Sequence, residues 1–464
     1  MMRLLAMLAV LLLPGAAIAG QPLLVDEVLR SSARHSPAIL EAMARERSAD
    51  GRRLSAEGAF DLVFEGDAMV RPLGYYDGSA LEAKVTRPLT GNGGSLYGGY
   101  RVSTGDFATY DGKYYTNRLG ELKLGAVFSL MRDRFTDERR TRLGVSAADV
   151  ELARLDREMV AIGVQRRAID AYQQWVAAGM RAALYRDLLK LATERQASIE
   201  RQIRLGARPG ILGTENSQNI VRRKALLVRA EQDLAMAANA LSFYLRDENG
   251  QPREPAPDRL PGTLPAFEVS ATEALLEGGL ARPDLDAILV RLSQAEARGR
   301  LAENDLAPRL DLRLEMSKDI GPEGPAGASR TPAEGFLGLR FAMPLERRQA
   351  KGRIAEAEAE AAGLTVRRRL IEDQIRVEVQ GLAIQVRSTD QLTSLAREET
   401  RLAEDMAEAE RRRFFLGASD FIVVNLREEA AADARLRQID AEYRRAAARA
   451  EIIAATADRR QLGL

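Results

Sequence analysis

The sequence predicts a mixed helix-and-strand chain built twice from one plan. Two stretches, from about residue 139 to 205 and from about 352 to 415, carry apolar residues in steps of four or seven, with Arg, Glu, Gln and Ala between them. That spacing marks one face of a helix. Four shorter stretches of roughly ten residues alternate apolar and polar side chains, which is a strand with two unlike faces. Each half of the chain runs in the same order: short helices, a strand, a loop, a strand, a long helix, a glycine turn and a returning helix.

Composition narrows the setting. The first nineteen residues read as an export signal: Arg3, an apolar core from Leu4 to Leu13, Pro14-Gly15, then Ala17-Ile18-Ala19 before Gly20. No later segment approaches the eighteen apolar residues of a membrane helix. The chain has no cysteine, so disulfides, thiolate metal sites and lipidation of the mature N-terminus are not expected. Its 68 basic and 67 acidic residues nearly cancel, so the charges are interspersed along helix faces and no nucleic-acid partner is expected.

Residues 20–58 read as helices, with Leu24, Val28, Leu29, Ile39 and Met43 apolar and Pro37 starting the second. His35, the single histidine, stands just before that start and reads as a satisfied or solvated side chain. The same plan returns at Ser270 to Leu285, with Pro283 in the place of Pro37. Strand alternation fills 59–131 and 308–345. Phe64, Ala68 and Val70 oppose Glu65 and Asp67, and Leu122, Leu124 and Phe128 oppose Glu121, Lys123 and Ser129. In the second half Leu310, Leu312, Leu314 and Met316 oppose Arg309, Asp311, Arg313 and Glu315. Leu337, Leu339, Phe341 and Met343 follow, alternating with Gly338, Arg340 and Ala342. Between the first two strands lies an insertion, residues 72–119, holding most of the tyrosines. It reads as an outer loop or as added strands, with a possible hairpin Ala80 to Pro88 and Ser95 to Val102 around Thr90-Gly91-Asn92-Gly93-Gly94.

The long helical hairpins occupy 132–246 and 346–464, joined by a Pro/Gly-rich link and short helices over 247–307. The first turns at Gly206-Ala207-Arg208-Pro209-Gly210 and the second at Leu416-Gly417-Ala418-Ser419, each glycine fitting a left-handed helix end. A run of about 65 residues spans roughly 100 Å. Strands apolar on one face and polar on the other suit an outer-membrane barrel wall, but four cannot close one, since the smallest has eight. An open edge in lipid leaves backbone groups unpaired at several kcal/mol each. The expectation is therefore assembly: twelve strands from a trimer, or eight from a dimer with a lumen filled by side chains.

The chain resembles the TolC-like family of outer-membrane efflux proteins over essentially its whole mature length. The resemblance rests on Arg282-Pro283-Asp284-Leu285, Leu306-Ala307-Pro308-Arg309-Leu310, Phe336 to Arg348 with Met343-Pro344-Leu345, and the turns Gly206-Ala207-Arg208-Pro209 and Gly417-Ala418-Ser419-Asp420. It implies a homotrimer with a 12-stranded barrel, four strands per subunit, continued by a periplasmic helical coiled-coil barrel. It also implies a periplasmic adaptor and an inner-membrane transporter as partners, outer-membrane lipid around the wall, and neither enzyme activity nor cofactor. In the family the lower turns meet the adaptor, which carries over to Gly206, Ala207, Arg208 and Pro209 and to Gly417, Ala418 and Ser419. The family's acidic gate falls here on Val423 and Leu426, so that ring is absent. Asp420 is either its substitute or a plain helix N-cap, and an apolar constriction from Phe421, Val423 or Leu426 is the other reading. A periplasmic coiled-coil adaptor without a pore is the competing function. It explains the long helices but not the strands or the duplication.

Overall fold

The computed structural model describes residues 21–269, 281–324, 330 and 332–464. The export signal expected over 1–19 lies outside them, as do residues 270–280 of the repeated motif and part of the 321–333 loop. The chain forms two compact units. One holds Ala42–Glu158 and Pro283–Asp373, and the other the described residues of Met1–Glu41, Met159–Arg282 and Gln374–Leu464.

The first unit is built on one antiparallel sheet whose strands lie in chain order. They are β1 (Val63–Val70), β2 (Ser79–Pro88), β3 (Ser95–Thr104), β4 (Glu121–Ser129), β5 (Arg309–Asp319) and β6 (Glu334–Ala342). Six strands replace the four expected. The inserted segment does not loop out of the sheet: β2 pairs with β1 from Val63↔Thr86 to Val70↔Ser79. β3 in turn pairs with β4 from Ser95↔Val127 to Arg101↔Glu121. The reason is chemical. Thr90 to Gly94 supplies a glycine-rich reversal, and both arms keep the two-residue period that lets them share faces with their neighbours.

Each half enters this sheet from a proline-started helix, α2 (Pro37–Glu57) before β1 and α5 (Pro283–Asn304) before β5. Each leaves it into a long helix, α3 (Glu138–Arg204, 67 residues) after β4 and α6 (Arg348–Phe415, 68 residues) after β6. Strand direction therefore puts every helix junction and the β2–β3 turn at one end of the sheet. The connections 71–78 and 105–120 are at the other, as are the adjoining ends of β5 and β6. Of the insertion's tyrosines, Tyr97 and Tyr100 are in β3, and the rest are in these far-end connections.

The second unit is helical. α3 and α4 (Ile211–Ser242) form one hairpin, and α6 and α7 (Phe421–Ala455) the other. Among the described residues no helix is long and apolar enough to cross a membrane. The short α1 (Val25–His35) is fastened to α3 by a buried Ser32 Oγ donating to Gln165 Oε1 at 2.5 Å. Tyr172 Oη donates to the Leu23 carbonyl at 2.7 Å. Trp175, Leu23, Leu29 and Ile169 are among the largest fully buried side chains. Alanine is frequent in the seams. Thr393 Oγ1 donates to the Ala441 carbonyl at 3.2 Å and Thr400 Oγ1 to that of Ala434 at 3.0 Å, so α6 and α7 run close together.

Candidate functional site

Both long helices end in the same backbone motif. Gly206 has φ +72° and Gly417 φ +76°, a region that disfavours any side chain. Gly206 N donates to Ile203 O and Ala207 N to Gln202 O, each at 2.9 Å. Gly417 N donates to Phe414 O at 3.0 Å and Ala418 N to Arg413 O at 2.9 Å. This crossed pair of bonds is the Schellman ending. The same ending is thus present at both turns that the sequence predicts.

The two turns meet within the helical unit. The Arg208 guanidinium lies over the Phe414 ring at 4.9 Å, a cation–π contact between the first turn and the end of α6. Ser419 donates to Glu410, tying the second turn to its own helix. Behind them Ile199, Phe414, Phe421 and Val424 form a buried cluster, with Ile203 and Leu212 packed on it. Phe421 is 3% exposed and its ring sits 6.4 Å from that of Phe414. Within the chain Phe421 is therefore part of this core. Val423, 37% exposed, and Leu426, 61% exposed, do face out, beside Ile422, Phe415 and Leu416. Asp420 takes the N-cap position of α7 in extended backbone, but its side chain makes no capping bond.

One feature escaped the sequence. Glu428 on α7 is buried and ion-paired with Arg195 of α3 and, at 3.0 Å, with Arg223 of α4. Arg223 also donates to the Leu188 carbonyl at 2.7 Å, and Asn425 accepts from Arg195 and Asn219 at 3.0 Å each. Burial lowers the Arg223 pKa even though Glu428 opposes the shift. A polar knot thus locks three helices together just above the turns.

The sheet separates its chemistry by face. On one side lie Phe64, Val70, Leu81, Val85, Leu96, Tyr100, Leu122, Leu124, Leu314, Met316, Leu337, Leu339 and Phe341, most of them exposed. On the other, acids and bases interleave. Arg101 and Glu121 pair at 2.6 Å in a buried site. Tyr97 Oη donates to Glu315 at 2.5 Å and accepts from Arg313 Nε at 3.0 Å. A charged face thus lies opposite a largely exposed apolar one.

The same fold is found in solved outer-membrane channels. VceC of Vibrio cholerae matches over 93% of this chain and 96% of its own, with a TM-score of 0.63 at 15% identity. MtrE of Neisseria gonorrhoeae, solved in an open state, matches over 93% and 88%, with 0.63 at 14%. CmeC of Campylobacter jejuni matches over 93% and 85%, with 0.61 at 14%. Residues 280–458 match the family model described as outer membrane efflux protein. No curated protein matches the chain in sequence.

Proposed function

We propose that the protein is the outer-membrane channel of an efflux or secretion system, a passive conduit from a periplasmic adaptor and an inner-membrane transporter to the exterior. It acts as a homotrimer, with the sheet in outer-membrane lipid and the helical hairpins in the periplasm. The observation that carries this reading is the sheet. Its apolar face is exposed, its opposite face is charged, and β1 and β6 have no further partner strand within the described chain. Such a surface suits lipid on one side and water on the other, and its free edges require other copies.

In this reading the turns Gly206 to Pro209 and Gly417 to Ser419 are the adaptor contacts, and Val423 and Leu426, near Asp420, rim the periplasmic entrance. Outward-facing apolar side chains there suit a passage that closes by excluding water. The test is the subunit number of the detergent-purified protein and its conductance in a planar bilayer. A trimer that resists carbonate extraction and gives small, stable channels supports the reading. A carbonate-released monomer or dimer without conductance returns the strands to a periplasmic scaffold.

A further inference from the structure

The twelve-stranded wall implied by resemblance does not fit this chain's own sheet. We infer that the β2–β3 hairpin is part of the wall itself, and that copies join edge to edge, β1 of one to β6 of the next. Three copies of a six-stranded sheet then close an eighteen-stranded barrel. The inference deepens the channel reading and rests on it.

Four observations carry it. The hairpin is hydrogen-bonded on both sides, β2 to β1 over eight residue pairs and β3 to β4 over seven. Its polar side chains are stitched into the charged face: Lys84 reaches Glu65 at 3.7 Å, Arg101 holds Glu121, and Tyr97 reaches over β4 to Glu315. Its turn is anchored at the helix end of the sheet, where Arg140 donates to the carbonyls of Gly91 at 3.2 Å and Asp133 at 2.7 Å. A Cβ on Gly93 would lie 1.9 Å from that Asp133 oxygen, so the turn is nested and not free to swing out. Lastly, β2 through β5 are partly buried along their length, whereas β1 and β6 are open on nearly every residue.

The edges suit each other. With an even number of strands, β1 and β6 run in opposite directions, so each junction between copies is antiparallel like every junction within one. Matching faces across the junction puts Glu65 and Asp67 of β1 on the same charged surface as Arg340 of β6. The occupant of each edge is a second copy of this chain.

The functional consequence is width. Barrel diameter grows roughly in proportion to strand number, so eighteen strands give a bore about half again that of twelve, in the range where barrels hold an open aqueous channel. The wall mixes acids and bases, so it favours large polar cargo without a strong preference for either sign of charge.

The chain has no cysteine, which allows a clean cross-linking test in the full-length protein. Glu65→Cys with Lys84→Cys should link within one chain, because these residues face each other. Asp67→Cys combined in turn with Phe336→Cys, Gly338→Cys or Arg340→Cys should give a covalent trimer at one of these registers. Glu65→Cys with Lys123→Cys should stay unlinked, since two strands separate them. If the protein conducts as a trimer but Glu65 links to Lys123, or no β6 position links to β1, the hairpin lies outside the wall. The eighteen-stranded barrel then falls while the channel stands. If no conducting oligomer forms, both fall.

Discussion

Removing the Glu428 carboxylate would leave Arg195 and Arg223 facing each other in a dry seam between helices. Glu428 is 2% exposed at its side chain and Arg223 4%, so water cannot replace the lost partner. Breaking a buried ion pair from one side costs on the order of 3–5 kcal/mol, whereas replacing the whole cluster with apolar residues of similar size is often neutral. Glu428→Gln should therefore lower the thermal unfolding midpoint sharply in detergent. The triple variant Arg195→Met, Arg223→Met, Glu428→Leu should recover most of it. Equal loss in both would mean that the packing, and not the charge, holds the helices. Glu428 was hidden because glutamate is common on solvated helix faces. Its clue was spacing: Phe421, Val424, Glu428 and Ala432 fall in steps of three and four on the buried face of α7. Gly206 and Gly417 were legible because a helix end that needs left-handed backbone selects glycine almost uniquely.

The α6–α7 hairpin is laced by arginine–carboxylate pairs. Arg397 reaches Glu442 at 2.9 Å, Arg437 reaches Glu399 at 2.7 Å, and Arg445 and Arg449 converge on Asp390 at 2.6 and 3.0 Å. Burial pushes the Asp390 carboxyl up, but the hydrogen bonds and charges of both arginines outweigh it and hold its pKa below the ordinary value. A carboxylate held low in the folded state stabilises fully above the ordinary aspartate range of about 4. That contribution disappears as pH falls through the lower folded value. Asp390→Asn should thus lower the unfolding midpoint at pH 7 and leave it nearly unchanged once the native carboxyl is protonated. A parallel offset at every pH would show that Asp390 matters by shape alone. Helices and strands were legible because their periods differ, 3.6 against 2. The added pair β2–β3 was weaker in sequence because Ser79, Gly98 and Thr104 interrupt its apolar face. Only pairing to β1 and β4 fixes it as sheet.

At the scale of the molecule, the order of elements was readable because the same punctuation occurs twice: a proline-started helix into a strand, and a glycine-ended helix back into its partner. Which residues rim an opening was not readable, because that depends on how copies meet and on which side of α7 packs inward. The structure settles the second point: Phe421 and Val424 turn in, and Val423 and Leu426 turn out. If copies converge at the turns, the rim of this protein carries apolar side chains at the two positions where the family it resembles has acids. A trivalent cation should then leave the wild-type conductance unchanged, with no carboxylate at positions 423 and 426 to bind. Val423→Asp would place one carboxylate per copy there. Each carboxylate attracts a unit charge by on the order of 1 kcal/mol at contact distance in water, and a trivalent ion more strongly, so three together strengthen binding by at least roughly a hundredfold. Block of the Val423→Asp channel by a trivalent cation that spares the wild type would put Val423 at the entrance. Equal insensitivity of both channels, with conductance intact, would place the entrance elsewhere on the helical unit and leave Val423 as an ordinary exposed residue of α7.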